Sequence, residues 1–144
     1  HIETLTADHP TLTYNTIGRH LSRMVNTKVI STKSPWMSDA KAGEIYTVPI
    51  SHGEGRFIAS PQQVLEFNKT GQIATQYVDF DGIASMDSRF NPNQSVAAIE
   101  GIYSPDGRVF GKMAHSERCG AGISKNIPGL LGMPIFTSGV KYFK

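Results

Sequence analysis

The chain has 144 residues, of which 39% are hydrophobic and 18% charged, with a formal net charge of +2. This length suits a single domain with a hydrophobic core and is short for two, so we expect one domain over residues 1–144. The balanced composition argues against intrinsic disorder, and the small net charge provides no electrostatic case for a nucleic acid or an anionic membrane as partner.

The first predicted elements are two strands joined by a loop. RHLSRMVNTKVI (19–30) mixes β-branched residues with alternating polar ones, which favours a half-buried strand. KSPWMSDAKAGE (33–44) is interrupted by proline and glycine and predicts a loop with one helical turn. IYTVPI (45–50) predicts a strand that stops at Ser51. The cluster at 52–55 would then lie just past a strand end, where functional residues are often placed.

A short helix and a third strand are predicted next. SPQQVLEFNKTG (60–71) has Ser60 as a helix N-cap, Pro61 at the first helical position and Gly71 at its end. QIATQYV (72–78) is rich in β-branched and aromatic residues and predicts a strand.

The last part of the chain predicts a β-hairpin and a terminal helix. VAAIEGIYSPDGRVFGKMAH (96–115) has two β-rich runs around the turn residues 104–107. The apolar stretch at 127–136 contains Gly and Pro and is shorter than the ~20 residues of a spanning helix. PIFTSGVKYFK (134–144) has apolar positions at helical spacing. We therefore expect a strand-rich α/β domain with short helices and no membrane segment.

His115 and Glu117 are the first candidates for chemistry. In an extended segment, residues two apart point to the same side, so imidazole and carboxylate could share a site. A carboxylate beside a histidine fixes the tautomer of the ring and stabilises the imidazolium, as in nucleophilic triads. The spacing alone favours the alternative interpretation, a surface histidine beside a solvated glutamate.

A second pair, His52 and Glu54, has the same spacing inside the segment SHGEG. The neighbouring glycines permit a tight turn or a close approach of backbone to a ligand, although a turn with polar side chains also explains them. Together with His115 and Glu117, this pair could alternatively bind the metal of a hydrolase. No HExxH or other known ligand spacing is present, so we expect no metal site.

The remaining polar residues suggest structural roles. Cys119 is the only cysteine, so no internal disulfide is possible and a cytoplasmic location is the default expectation. It is most simply a small buried residue or an unreactive thiol. The segment NPNQS (91–95) is typical of turns, because Asn and Ser bond to their own backbone. Because the sequence starts at His1, we expect it to be a fragment.

Five sequence blocks support a family resemblance: VPISHGEGRF, GQIATQYVD, NPNQSVAAIEGI, GRVFGKMAHSER and FTSGVKYF. In this order they resemble the class I glutamine amidotransferase domain at the C-terminal end of phosphoribosylformylglycinamidine synthase. TYNTIGRHLSRMV and SPWM look like the large fused type of that enzyme rather than its stand-alone subunit. The resemblance implies part of a flavodoxin-like amidotransferase domain.

The resemblance also implies roles for both clusters. His115 and Glu117 correspond to the histidine and glutamate of a Cys-His-Glu triad that releases ammonia from glutamine. Residues 51–54, which are Ser51, His52, Gly53 and Glu54, would line the glutamine pocket. The ammonia would serve a synthetase domain of the same polypeptide, which binds ATP and Mg²⁺; no cofactor is expected on this chain.

Three departures from the family pattern qualify these expectations. The family nucleophile lies on a Gly-x-Cys-x-Gly turn that this sequence lacks, and Cys119 does not match it. We therefore expect a fragment without its N-terminal strands, inactive alone and able to form a homodimer through the truncated sheet edge. Gln94 replaces a usual glycine, and Ser116 replaces a proline of some relatives. A non-catalytic docking or scaffold module remains an alternative function.

Overall fold

The computed structural model describes residues 6–144, so His1 and the rest of the first five residues of the expected domain lie outside the described part. The strands are β1 Thr11–Thr13, β2 Leu21–Val29, β3 Ile45–His52, β4 Arg56–Ile58, β5 Ile73–Tyr77, β6 Ile99–Tyr103 and β7 Phe110–Lys112. The helices are α1 Pro61–Lys69 and α2 Ile135–Tyr142, with short 3-10 helices at Pro35–Met37 and Val96–Ala98. The predicted strand-rich α/β class is confirmed.

The main sheet has the strand order β3-β2-β5-β6-β7, and every neighbouring pair in it is antiparallel. β1 pairs with β4 in a separate two-stranded sheet. In the described part of the chain, parallel pairing is limited to a single bridge between Tyr46 and Leu130. Within residues 6–144, neither helix combines the length and the apolar content that crossing a membrane demands.

The segment that follows β7 makes the main sheet curl. The N–H of Met113 donates to the carbonyl of Glu100 on β6 at 3.0 Å, and the N–H of His115 donates to the carbonyl of Pro49 on β3 at 2.8 Å. β6 and β3 are not neighbours in the strand order. Residues 113–115 therefore connect distant strands and bring the start of the 115–117 segment to the end of β3.

Two hydrophobic clusters hold the sheet and helices together. The larger cluster takes side chains from β2, β3, β5, β6 and α2, and the smaller one packs α1 against β4, β5 and β6. On β2 and β3, alternate residues are buried, namely Val25, Thr27, Val29, Tyr46, Val48 and Ile50. Each large apolar side chain buried in this way contributes about 1.5–3 kcal/mol to folding.

The local signals in the sequence located α1 and the hairpin correctly. Ser60 forms a capping box with Gln63, and Pro61 opens the helix as expected. In the hairpin, Gly107 has a φ of 74°, and its N–H donates to the carbonyl of Ser104 at 2.8 Å. The predicted terminal helix is α2, and the predicted helical turn is Pro35–Met37.

Other predictions on strands need correction. β3 continues through Ser51 to His52, so these residues lie on the strand rather than past its end. The extension follows from pairing, because Leu21 of β2 lies opposite His52 in the ladder. The sequence also gave no prediction of β1 and β4, which are three residues each and pair across a long separation.

Candidate functional site

His115 and Glu117 form a close pair just after β7. Nδ1 of His115 lies 2.6 Å from Oε1 of Glu117. The N–H of Arg118 donates to the carbonyl of His115 at 3.2 Å, so the pair is formed by a turn rather than by the extended segment that we expected. The bond from the His115 N–H to Pro49 fixes the start of this turn against β3.

The chemistry of the pair determines which ring nitrogen carries the proton. Burial opposes ionisation of Glu117, but its own backbone N–H, the His115 ring and Arg118 together hold the pKa of the carboxyl below 4.5. An ionised carboxylate can only accept a hydrogen bond, so Nδ1 of His115 is the donor. In the neutral ring Nε2 then keeps its lone pair, which is the arrangement required of a general base.

Ser51 and His52 stand at the end of β3, close to a third histidine. Oγ of Ser51 lies 3.2 Å from Nε2 of His20. The half-buried ring of His52 places Nε2 at 3.3 Å from Nδ2 of Asn93, while its buried Nδ1 has no hydrogen-bond partner in the structure. The His52 ring therefore has one polar atom still to be satisfied.

Gly53 and Glu54 form the turn that follows β3, and Asn15 holds this turn in place. The N–H of Asn15 donates to the Gly53 carbonyl at 2.9 Å, and its side chain donates to the His52 carbonyl at 2.7 Å. The N–H of Gly55 donates to Oδ1 of Asn15 at 3.2 Å. The backbone of the turn is thus fixed, while the Glu54 side chain is exposed to solvent.

The two clusters lie close enough to influence each other's protonation. Burial lowers the pKa of His52 below 6.5, and positive charge on His115 and His20 lowers the pKa further, against opposing effects from its own backbone and from Glu100. His52 therefore favours the neutral imidazole. The hydrogen bond from the His115 N–H to Pro49 links the segment of His115 to the strand that ends at His52.

Glu100 is the main residue of this region that the sequence reasoning missed. Its side chain is fully buried on β6 and lies 3.3 Å from Nζ of Lys112. Its Oε1 accepts the N–H of Ala114 at 2.7 Å, one residue before His115. A carboxylate inside the apolar run AIEGI was the available signal, because buried charges are retained only with partners.

The NPNQS segment is a turn, as predicted, and it also supports the candidate site. Nδ2 of Asn93 donates to Oη of Tyr77 at 2.9 Å, in addition to its contact with His52. Oγ of Ser95 donates to the Gly55 carbonyl at 3.2 Å. Gln94 has a φ of 61°, which explains why glycine suits this position.

Cys119 is exposed, which rules out the small buried residue but not the unreactive thiol among the two interpretations of it. Its thiol donates to the Ser116 carbonyl at 3.2 Å rather than to the His115 ring. Among residues 6–144, no group of three or more His, Cys, Asp or Glu side chains is arranged to hold a metal ion. This finding gives no support to the alternative of a metal-dependent hydrolase.

A cleft of about 560 Å³ adjoins the His115–Glu117 pair. Its other walls come from the hairpin, Trp36 and the start of α2. A larger cavity of about 780 Å³ lies over β2 and β3, but it is lined by none of the residues predicted for the site. Access to His115 is therefore from the hairpin side of the molecule.

Comparison with known proteins places this geometry in a family. The model of the CobB/CobQ-like glutamine amidotransferase domain matches residues 1–143. The chain belongs to this family. Its strand-rich fold, with a curled sheet and two helices, is part of a class I glutamine amidotransferase domain.

The chain is also similar to individual curated proteins and to a solved structure. The chain is 40% identical over 91 residues to phosphoribosylformylglycinamidine synthase subunit PurQ of Thermomicrobium roseum. This alignment covers 63% of the chain and 38% of the relative. It is 32% identical over 131 residues to the same subunit of Methanosarcina barkeri, and this alignment covers 91% of the chain and 54% of the relative. A solved structure titled "Structure of PurLQS from Thermotoga maritima" matches with a TM-score of 0.68 and 26% identity, covering 94% of the chain and 54% of that chain.

The chain spans about half the length, or less, of the relatives that it matches. The relatives carry the name of a subunit rather than of a fused enzyme. The chain thus shares its family with a subunit of a purine-biosynthetic enzyme.

Proposed function

We propose that this chain is part of the glutaminase of phosphoribosylformylglycinamidine synthase and that it supplies the histidine and glutamate of the catalytic triad. The observation that carries the proposal is the 2.6 Å contact between Nδ1 of His115 and Oε1 of Glu117. This contact fixes the ring so that Nε2 is available to a nucleophile. The family match supports the reaction type.

In the proposed reaction, Nε2 of His115 accepts the proton of a cysteine thiol that belongs to a longer form of the protein. The thiolate attacks the side-chain amide carbon of glutamine, and the C–N bond breaks as His115 returns the proton to the leaving ammonia. A water molecule then gives a proton to Nε2 and attacks the thioester, which releases glutamate and restores the thiol. Glu117 stabilises the imidazolium in both steps.

Ser51, His52, Gly53 and Glu54 are proposed to line the glutamine pocket. The support is geometric: Asn15 fixes the backbone of this turn, and the His115 N–H bonds to Pro49 on the strand that leads into the turn. A fixed backbone can present N–H and C=O groups to the amino-acid part of glutamine without further ordering.

The setting of this glutaminase is also part of the proposal. The chain would be a fragment of the large fused type, acting in the cytoplasm beside a synthetase domain that uses ATP and Mg²⁺ to form the amidine of formylglycinamide ribonucleotide. No residue of this chain is assigned to ATP or Mg²⁺. Without the nucleophile, the fragment alone is expected to be inactive.

Two measurements test the proposal. In the longer protein, His115→Ala should abolish glutamine-dependent synthesis, by about 10²–10⁴-fold for loss of a general base, and leave synthesis from ammonium salts largely intact. Glu117→Gln should act in the same way but more mildly, because it loses charge stabilisation and keeps part of the geometry.

A folded His115→Ala protein that lost both activities equally would show that His115 is structural. In the isolated chain, release of ammonia from glutamine that Cys119→Ser abolished would show that Cys119 is the nucleophile after all. If glutamine hydrolysis by the longer protein were inhibited by a chelator but not by thiol alkylation, a metal-dependent hydrolase would be favoured. If neither treatment changed it, a docking module would be favoured.

A further inference from the structure

Glu100 is a buried carboxylate with an unusual number of donors. Its Oε2 accepts the hydroxyl of Thr75 on β5. Its Oε1 accepts the backbone N–H groups of Met113 at 3.1 Å and of Ala114 at 2.7 Å, and it pairs with Nζ of Lys112 at 3.3 Å. Three hydrogen bonds and one ion pair therefore converge on a single carboxylate, with Oε1 carrying three of these contacts.

The donors connect the sheet to the segment that carries His115. Thr75 lies on β5, Glu100 on β6, and the two backbone donors lie between β7 and His115. Nζ of Lys112 also donates to the Ala114 carbonyl at 2.8 Å and to Oγ of Ser116 at 3.2 Å. The residues on both sides of His115 are therefore tied to a single buried ion pair.

Stability alone does not account for this ion pair. A buried ion pair gains little over well-packed apolar residues of the same volume, because removing both charges from water is costly. The Lys112 side chain is only 11% exposed and that of Glu100 is fully buried, so the cost applies to both. What the pair provides that apolar residues lack is direction, since each hydrogen bond fixes a particular backbone group.

We propose that Glu100 is a positioning residue that sets the path of residues 113–116, and through it the contact between His115 and Glu117. Glu100 acts through the Ala114 N–H and does not touch the reacting atoms. This inference rests on the proposed function only in naming His115 as the base. The contact that Glu100 sets is a property of the folded chain and is measurable without glutamine.

The test compares two double variants that differ in one acceptor. Glu100→Gln/Lys112→Met and Glu100→Met/Lys112→Met both remove the buried charges at similar volume, but only the first keeps an oxygen for the Ala114 N–H. The readout is the tautomer of the His115 ring, measured by ¹⁵N NMR at a pH where the ring is neutral. We expect the Nδ1–H tautomer in the Gln variant and its loss in the Met variant.

Two results would overturn the assignment, provided that both variants are folded by circular dichroism. If both kept the Nδ1–H tautomer, Glu100 would not position His115. If both lost it, the buried charges or the hydrogen bonds of Lys112 would be responsible rather than the acceptor on Glu100. Absence of glutaminase activity in the longer protein would refute the proposed function and leave this readout unchanged.

A second measurement covers the case in which the Met variant does not fold. In the unaltered chain, the Ala114 amide should exchange its proton with solvent much more slowly than the amide of the exposed residue Gly120, because Ala114 donates to a buried acceptor. Thr75→Val, which removes only the bond to Oε2, should keep this protection. Fast exchange at Ala114 in the unaltered chain would overturn the proposal.

Discussion

The protonation of individual side chains decides what the candidate site can do. His52 is half-buried and receives a contact from Asn93, and burial together with positive charge on His115 and His20 lowers its pKa. Glu117 is held in its ionised form beside His115. A neutral His52 next to the proposed base avoids a second positive charge where an imidazolium has to form, which favours proton transfer to His115.

The lowered pKa of His52 predicts a pH-dependent stability. The unfolded chain binds a proton at this residue near pH 6.5, whereas the folded chain binds it only at lower pH. The contribution of His52 to the free energy of unfolding is therefore complete above about pH 6.5 and decreases as the pH falls through the folded-state pKa. His52→Gln should reduce the slope of stability against pH in that window. Denaturant titrations at several pH values measure the free energy of unfolding of the unaltered chain and of His52→Gln. Parallel plots of this free energy against pH would contradict the lowered pKa of His52.

Gly55 is predicted to be essential for the placement of His52. A Cβ atom at Gly55 would overlap the imidazole ring, which is also held by Asn93. Gly55→Ala should therefore displace the ring and cost about 1–3 kcal/mol of stability, the usual effect of overpacking. Gly53→Ala is the matched control, because a Cβ there meets no atom within 4 Å. Equal stability of the two variants in chemical denaturation would contradict this account.

At the scale of elements, α2 is attached mainly through Trp36. Gly139 of α2 faces the indole ring, whose Nε1 donates to the Arg108 carbonyl at 2.8 Å, and Phe143 packs against the same ring. Lys141 adds an ion pair with Asp39 at 2.8 Å, but both side chains are partly exposed, so the pair contributes little. Shape at the Trp36–Gly139 contact therefore governs the docking of the helix.

A single methyl group should disturb this docking. In Gly139→Ala, the new Cβ would overlap the Trp36 ring, so the helix or the ring has to move, at a cost of about 1–3 kcal/mol. Trp36 is the only tryptophan, so its fluorescence reports the change directly. Val140→Ala, at an exposed position of the same helix, is the control and should leave both fluorescence and melting temperature nearly unchanged. An unchanged spectrum in Gly139→Ala would argue against the contact.

The elements that the sequence predicted well are those specified by local chemistry. Ser60 and Pro61 fix the start of α1, and Gly107 fixes the hairpin turn, because capping and positive φ depend on a few neighbouring residues. The end of β3 was wrong because pairing with β2 extends it to His52. Pairing between distant segments leaves no comparable mark in a single sequence.

The same distinction applies to the candidate site. The spacing of His115 and Glu117 made their contact possible but favoured a pair of surface neighbours in an extended segment, and the resemblance to a family suggested the role of each. The support that Glu100 gives to Ala114 depends on how β6 lies beside the segment after β7, so spacing alone could not reveal it. The hydrogen bond from the His115 N–H to Pro49 of β3 likewise follows from the curl of the sheet.

At the scale of the molecule, the edges of the sheet bear on self-association. At one end, β3 is contacted by the N–H of His115 and donates the Thr47 N–H to Leu130 at 2.8 Å. At the other end of the described sheet, β7 has only three residues. A homodimer through a free edge of the main sheet is therefore expected to use β7 and the exposed residues beside it.

Association through β7 is expected to be concentration-dependent, since an unpaired strand offers backbone groups to a second copy but few of them. Light scattering over a wide concentration range measures the molecular mass and therefore the degree of association. Val109→Lys, at an exposed position beside β7, should weaken the dimer, because charge at an edge opposes pairing. A monomer at every concentration would refute the expected homodimer.

The hydrogen bond between the His115 N–H and the Pro49 carbonyl has a consequence for the order of folding. It joins parts of the chain that are far apart in sequence, so the entropy of closing a long loop opposes it, whereas the hairpin between β6 and β7 closes a short one. The contact that orients the proposed base should therefore form after the hairpin. In brief partial openings of the native state, the same contact should be among the first to break, so the proposed catalytic geometry would be lost while most of the sheet is still intact.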